Sequence, residues 1–345
     1  MKTEKSLGLG DVPTIAGLTL IVFLAGVVLR MAKPVLFPFL LAVVLSFIVS
    51  PVLDFLVRIK IPRAVAIILI LILTFFVLYL LGMLIFESGK GFASEIPKYA
   101  EKLRAGLDDL LRKMHLSRAK SPSIDWLASL DVNKLGSFFL SSLGPFLSFI
   151  SNLFLVLIFL VFTLAGKGQT EKKIGNAFNP AQATRLRLII KNINYQIQHY
   201  LAIKTISNLI MGILTAGILT IFGLNYALLF GFLTFVLNYI PTIGSIIATA
   251  LPMLIAAFQF SSLWPAVWIG VLMTVIQNIQ GNFVEPKLVG RGLGLSPLVV
   301  LFALFFWGWL WGIAGMVLAV PIVAMVKIVC DNIPGLKFIA VLMSH

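Results

Sequence analysis

The chain has 345 residues, of which 60% are hydrophobic and 12% charged, with a formal net charge of +14 and a mean hydropathy of +1.05. No soluble chain of this length can hide so much apolar surface, so an integral membrane protein is required. The single cysteine, Cys330, excludes an intramolecular disulfide and a Cys-based metal cluster. His115, His199 and His345 lie far apart and supply no zinc set, so neither metal nor other cofactor is expected.

The opening stretch carries positive residues before a long apolar run that leads straight into another, without a small-residue cleavage site, and reads as a retained first span. With about 20 apolar residues needed per crossing, spans fall near 12–29, 34–53, 64–86, 145–165 and 201–222. A broken apolar stretch follows at 226–258, then a span at 263–282 and a second broken stretch at 296–326. The expected fold class is thus all-α and polytopic, with about six full spans and two broken hairpins. The organisation reads as three N-terminal spans in 1–86, an extracytoplasmic segment 87–144, two spans in 145–222, a transport core 223–330 and a tail 331–345.

Basic residues set the orientation, because short cytoplasmic loops collect Lys and Arg. The turn "RIKIPR" carries Arg58, Lys60 and Arg63, and segment 166–200 carries Lys167, Lys172, Lys173, Arg185, Arg187 and Lys191 against Glu171 alone. Both are placed inside, with the N- and C-termini. Segment 87–144 then lies outside, its nine Lys/Arg nearly balanced by seven Asp/Glu, while Arg30 and Lys33 on the outer side run against the rule. The net positive charge is read as facing anionic lipid, at about 1 kcal/mol per residue near the surface, rather than nucleic acid.

In the outer segment Ile96, Tyr99, Leu103, Leu107, Leu110, Leu111 and Met114 recur at helical spacing and predict an amphipathic helix on the membrane surface or against neighbouring spans. A turn around "SRAKSPS" and an apolar group from Trp126 to Leu140 come next. The stretch "RLRLIIKNINYQIQHYLAIK" predicts a second amphipathic helix, along the cytoplasmic interface, leading into the span at 201–222.

Residues 238–245, "NYIPTIGS", interrupt the first broken stretch. The arms on either side, 15 and 17 residues long, would reach only about 22–26 Å, short of a ~30 Å hydrocarbon core. A deep hairpin suits them better than two crossings. The second stretch repeats the arrangement, with Pro252 and Pro321 in matching places, and the two hairpins are expected to form an inverted pair about span 263–282. Non-helical backbone at membrane depth needs protein or a watery cavity around it. Asn238, Thr242 and Ser245 are therefore candidates to line a path, and Gly244 allows close backbone approach; two packed full spans with a turn among the headgroups are the structural alternative.

A second polar concentration lies at 274–297. Thr274, Asn278 and Asn282 follow at i, i+4 and i+8 with Gln277 and Gly281 beside them, so one helical face carries a carboxamide ladder. The ladder either ties helices together, at on the order of 0.6 kcal/mol per interhelical bond, or receives a neutral polyhydroxylated ligand, since amides donate and accept without demanding charge. Glu285, the only acid between Glu171 and Asp331, stands beside Pro286 with Lys287 and Arg291 near. It is a candidate proton or cation carrier, or a loop-fixing partner of Arg291. The run "GRGLGLS" lacks the strand and Lys-Ser/Thr of a phosphate loop, which rejects nucleotide binding.

The motifs "NYIPTIGS", "GNFVEPKLVGRGLGLSP" and "FFWGWLWGIAGMVLAVP" resemble those of the autoinducer-2 exporter family, over nearly the whole chain and most strongly in 225–330. By position, Asn238, Pro241, Gly244, Asn282, Glu285, Pro286, Gly290, Arg291 and Gly292 match the shared motifs. The resemblance implies a bacterial inner-membrane protein, assembled as a homo-oligomer (pentamers are associated with the family) and exporting autoinducer-2. Relatives described as sodium or lithium/proton antiporters keep a second function open, although buried carboxylates are scarce apart from Glu285 and the edge residues Asp54 and Glu87. An intramembrane enzyme would need a nucleophile with its base, or paired acids, inside the spans, and no such constellation is present. The expected mechanism is alternating access at a midplane site lined by Asn238, Asn278 and Asn282, with gates at Pro241/Gly244 and Gly308/Gly312.

Overall fold

The computed structural model describes residues 26–113, 153–166, 169–260, 262–285, 287 and 294–344, with isolated positions 17, 20 and 24. Among the described residues the regular structure is all helical, apart from one isolated bridge between Leu295 and Ser344. It is an all-α polytopic membrane protein.

Helix α1 (Lys33–Arg58) begins on Pro34, whose missing N–H costs nothing in a first turn. It ends at "RIKIPR", where Lys60 takes φ 69° and lets the chain reverse. Helix α2 (Arg63–Lys113) then runs unbroken for 51 residues. Helix α3 (Leu153–Gly166) packs back on both, and Ala42, Leu53, Ala66, Ile70, Val156, Leu160 and Leu164 form their shared core. The Arg63 guanidinium closes this unit by donating to the Leu164 carbonyl at 2.9 Å.

A short helix α4 (Gln169–Ala177) precedes α5 (Pro180–Ile221). The start of α5 is fixed by Asn179, whose side chain accepts from the Gln182 N–H at 2.9 Å, with Pro180 in the first turn. From there α5 continues for 42 residues, about 63 Å at 1.5 Å per residue. Its buried stripe, Ile197, Leu201, Lys204, Asn208, Met211, Thr215 and Leu219, follows the helical period and turns polar in the middle.

Two hairpins complete the core. Helices α6 (Ala227–Leu237) and α7 (Ile243–Gln259) are joined by a tight tip in which Thr242 adopts φ 61°. A Cβ on Gly244 would run into the Leu237 carbonyl, so only glycine lets α7 turn back this closely. Helix α8 (Trp264–Ile279) runs on into a single π-helical turn, Gln280–Val284. The second hairpin, α9 (Pro297–Trp311) and α10 (Ile313–Asn332), pivots on Gly312 at φ 73°, and Gly315 closes on the Trp307 carbonyl as Gly244 does on Leu237. Leu237 and Ile240 at the first tip pack against Ala303, Leu304 and Ala319 of the second hairpin. After α10 the chain folds back through a 3-10 turn (Pro334–Leu336) and α11 (Lys337–Leu342), and the Ser296 N–H donates to the Met343 carbonyl at 2.8 Å.

Three sequence expectations change. The outer amphipathic helix is the uninterrupted continuation of the span in α2 as far as Lys113, and residues 114–144 lie outside the described residues. The stretch expected along the cytoplasmic interface is continuous with the next span, since nothing in 180–221 breaks α5, so it projects along the axis of that span. Among the described residues five helices are long and apolar enough to cross, including Ile313–Asn332, so the second hairpin pairs a short arm with one of spanning length. The expected span 12–29 lies largely outside the described residues, and the described part of 145–165 is Leu153–Gly166.

Candidate functional site

Helix α5 carries a charge where lipid-depth burial is expected. Lys204 is buried, and its Nζ donates to Glu285 Oε1 at 2.6 Å, with side-chain exposures of 8% and 28%. A lone ammonium in this setting would be strongly penalised, so the pair neutralises a cost that neither partner could bear alone. Glu285 reaches Lys204 from the end of the π turn, and so ties α8 to the middle of α5.

Around this pair lies a layer of polar side chains. One residue along α5, Thr205 Oγ1 stands 2.8 Å from the hydroxyl of Tyr239, which lies at the tip of the first hairpin. Tyr200, one turn before Lys204, is buried as well. One turn further on, Ser207 Oγ accepts from Gln280 Nε2 at 3.1 Å. Three elements therefore meet on one face of α5: the hairpin tip, the π turn and α5 itself.

The amides of this layer are not all satisfied by the protein. Asn208 is 0% exposed and Asn238 7% exposed, and neither side chain has a partner for its oxygen or its nitrogen. Gln280 Oε1 and Gln277 Nε2 are likewise buried and unpartnered. Each unmet buried group costs about 1–3 kcal/mol, so these amides are open to a partner that the protein itself does not supply.

The seam between α5 and α6 explains how the two asparagines come to share a place. A Cβ on Gly212 would lie 2.8 Å from the Gly231 carbonyl oxygen and 3.1 Å from Phe235 Cβ, while Thr205 bonds Tyr239. Asn208 lies between Gly212 and Thr205 on α5, and Asn238 lies between Phe235 and Tyr239 on the facing strand of chain. Two bare glycines thus draw the backbones together and the asparagines sit one turn along, in the same seam.

Of the residues expected from sequence, Asn238 and Glu285 join this cluster, and Gln277 borders it on the buried side of α8. Thr242 and Ser245 stay at the hairpin turn, where Ser245 Oγ donates to the Thr242 carbonyl at 2.9 Å. Pro241 and Gly244 shape the same turn, and Gly308 and Gly312 shape the turn of the second hairpin. Asn278 and Asn282 are not brought to Asn238. They stand exposed on the far face of α8, where Asn278 Nδ2 donates to the Thr274 carbonyl and Asn282 Nδ2 to Asn278 Oδ1. The ladder is real, but the buried side of α8 is the one carrying Ala266, Ile269, Met273 and Gln280. Glu285 is fixed by Lys204, and its expected partner Arg291 lies outside the described residues, as do Pro286, Gly290 and Gly292.

Lys204, Ser207, Asn208, Tyr200, Tyr239 and Gln280 are the members that sequence reasoning passed over. The signal was present in "KTISN", a lysine and an asparagine four residues apart opening an apolar span. Among the described residues no group of His, Cys, Asp and Glu could hold a metal ion. What the cluster offers is a net-neutral, amide-rich set of side chains at the contact of three elements.

The AI-2E family transporter model matches residues 18–335. The chain belongs to the AI-2E transporter family. A Borreliella burgdorferi protein named for transport is 33% identical over 91% of this chain and 86% of its own length. The AI-2 transport protein TqsA of Escherichia coli K12 is 31% identical over 94% of this chain and 93% of its own. YhhT of the same organism, also named for transport, is 28% identical over 94% and 92%.

Proposed function

We propose that this transporter exports a small, neutral, polyhydroxylated solute, autoinducer-2 being the molecule that the name of its relative TqsA suggests. The observation that carries the reading is the pair of buried, unpartnered carboxamides, Asn208 and Asn238. Carboxamides donate and accept at once, which suits hydroxyl and carbonyl groups, and they demand no counter-charge. The ionic groups beside them are already paired, so a charged solute gains nothing at Lys204 or Glu285 without breaking their bond.

Transport proceeds by alternating access, with the two hairpins opening the cluster first to one side and then to the other. Their turns, at Pro241/Gly244 and Gly308/Gly312, act as the gates. The protein works in the bacterial inner membrane with both termini in the cytoplasm, as a homo-oligomer, pentameric on the resemblance, and catalyses no covalent chemistry.

A second reading is cation/proton antiport, favoured by the one observation of a carboxylate, Glu285, held at the end of a spanning helix by a buried lysine. Efflux from liposomes preloaded with autoinducer-2, with and without proton and sodium gradients and beside Glu285→Gln, separates the two. Export predicts protein-dependent efflux of the signal. Gradient-dependent sodium movement without signal efflux would replace export by antiport.

A further inference from the structure

The buried face of α8 keeps the ordinary helical rhythm through Ala266, Ile269, Met273 and Gln280. In an unbroken α-helix the next residue on that face is Val284, four positions after Gln280. The structure places Glu285 there instead. Phe283 and Val284 are 62% and 39% exposed, while Glu285 turns in to meet Lys204. The cause is visible in the backbone, where the Glu285 N–H bonds the Gln280 carbonyl five residues back rather than that of Gly281. One extra residue in the turn delays the face by one position.

We propose that Gln280–Val284 is a register switch for the solute site. In the π register Glu285 faces Lys204 and the site is neutral and tied shut across α5 and α8. When the turn tightens to α, the chain at Glu285 rotates by about 100°, one residue's worth, so that Val284 replaces Glu285 opposite Lys204 and the tie is broken. Single π turns inside α-helices have poorer geometry than the α form and recur at functional sites, which offsets part of the cost of parting Lys204 from Glu285. Gly281, inside the turn, has nothing within 4 Å of where a Cβ would stand, so the backbone at that position has room to shift. Gln280 sits at the hinge of both registers and keeps its bond to Ser207 in each, because the face before it does not turn. The switch rests on the reading of this cluster as the place where solute passes.

The test uses the full chain in liposomes, in a Cys330→Ala background so that introduced thiols are the only ones. Lys204→Cys is combined with Glu285→Cys to report the π register, or with Val284→Cys to report the α register, and each pair is bridged with a short bifunctional thiol reagent, because a contact through two long side chains leaves the backbones farther apart than a disulfide spans. Both pairs should cross-link, the Val284 pair the more slowly, with the gap narrowed because replacing Lys204 removes the tie that favours the π register. Deleting Gly281 removes the extra residue and leaves Glu285 four positions after Gln280. That deletion should abolish the Val284 cross-link, keep the Glu285 cross-link and, in the otherwise unmutated chain, remove most autoinducer-2 efflux. A Val284 pair that reacts no faster than Lys204→Cys alone overturns the switch, as does a deletion variant that transports normally. Cross-linking needs no transported solute, so it decides the switch even where the export reading fails.

Discussion

Gly212 and Gly231 lie so close that a Cβ on Gly231 would stand 2.6 Å from the Gly212 carbonyl oxygen and 2.7 Å from Ala216 Cβ. No other side chain fits between these backbones, and the contact holds α5 and α6 in the register that brings Asn208 beside the hairpin tip. Gly231→Ala forces the two helices apart and should destabilise the protein by about 1–3 kcal/mol, the usual range for overpacking a filled site. Thermal unfolding of the purified protein in detergent should show a clear downward shift. The same substitution at Gly217, which has nothing within 4 Å, should leave the midpoint unchanged or slightly raised.

Lys204→Met leaves Glu285 without its partner. Breaking a buried pair from one side costs roughly 3–5 kcal/mol, and the partial exposure of Glu285 places this case at or below the lower end of that range. Lys204→Met/Glu285→Gln removes both charges and should recover most of the loss. A double-mutant cycle on unfolding midpoints checks this. Additive single effects would mean that the two residues do not hold each other.

Asn278 and Asn282 bond to their own helix and are exposed on the described protomer. Asn278→Leu/Asn282→Leu should therefore leave efflux per folded protomer nearly unchanged. A collapse of transport, with protomer stability intact, would put the solute path on the outer face of α8.

The sequence disclosed the helices, because runs near spanning length leave little choice, and it disclosed both hairpin turns through Gly244 and Gly312. Asn238 and Glu285 stood out as polar residues in apolar surroundings. Direction was harder to read. The i, i+4 spacing of Asn278 and Asn282 places them on one face, but in a membrane protein neither the polar nor the apolar face announces which side is buried. In the sequence Lys204 closes an amphipathic stretch, and only tertiary structure shows α5 passing unbroken through it. The π turn has no residue signature at all: its cause is a hydrogen bond from Glu285 to Gln280 rather than to Gly281.

Asn208 and Asn238, the two unpartnered asparagines, are the groups that a solute would meet, and one measurement reaches them most directly. Replacing a buried amide that has no partner by an apolar residue of similar size is neutral or stabilising for folding. Asn208→Leu/Asn238→Leu should thus keep or raise the unfolding midpoint while autoinducer-2 efflux from preloaded liposomes falls to the protein-free rate. Efflux at the unmutated rate from a folded double variant would contradict the account and move the solute site elsewhere.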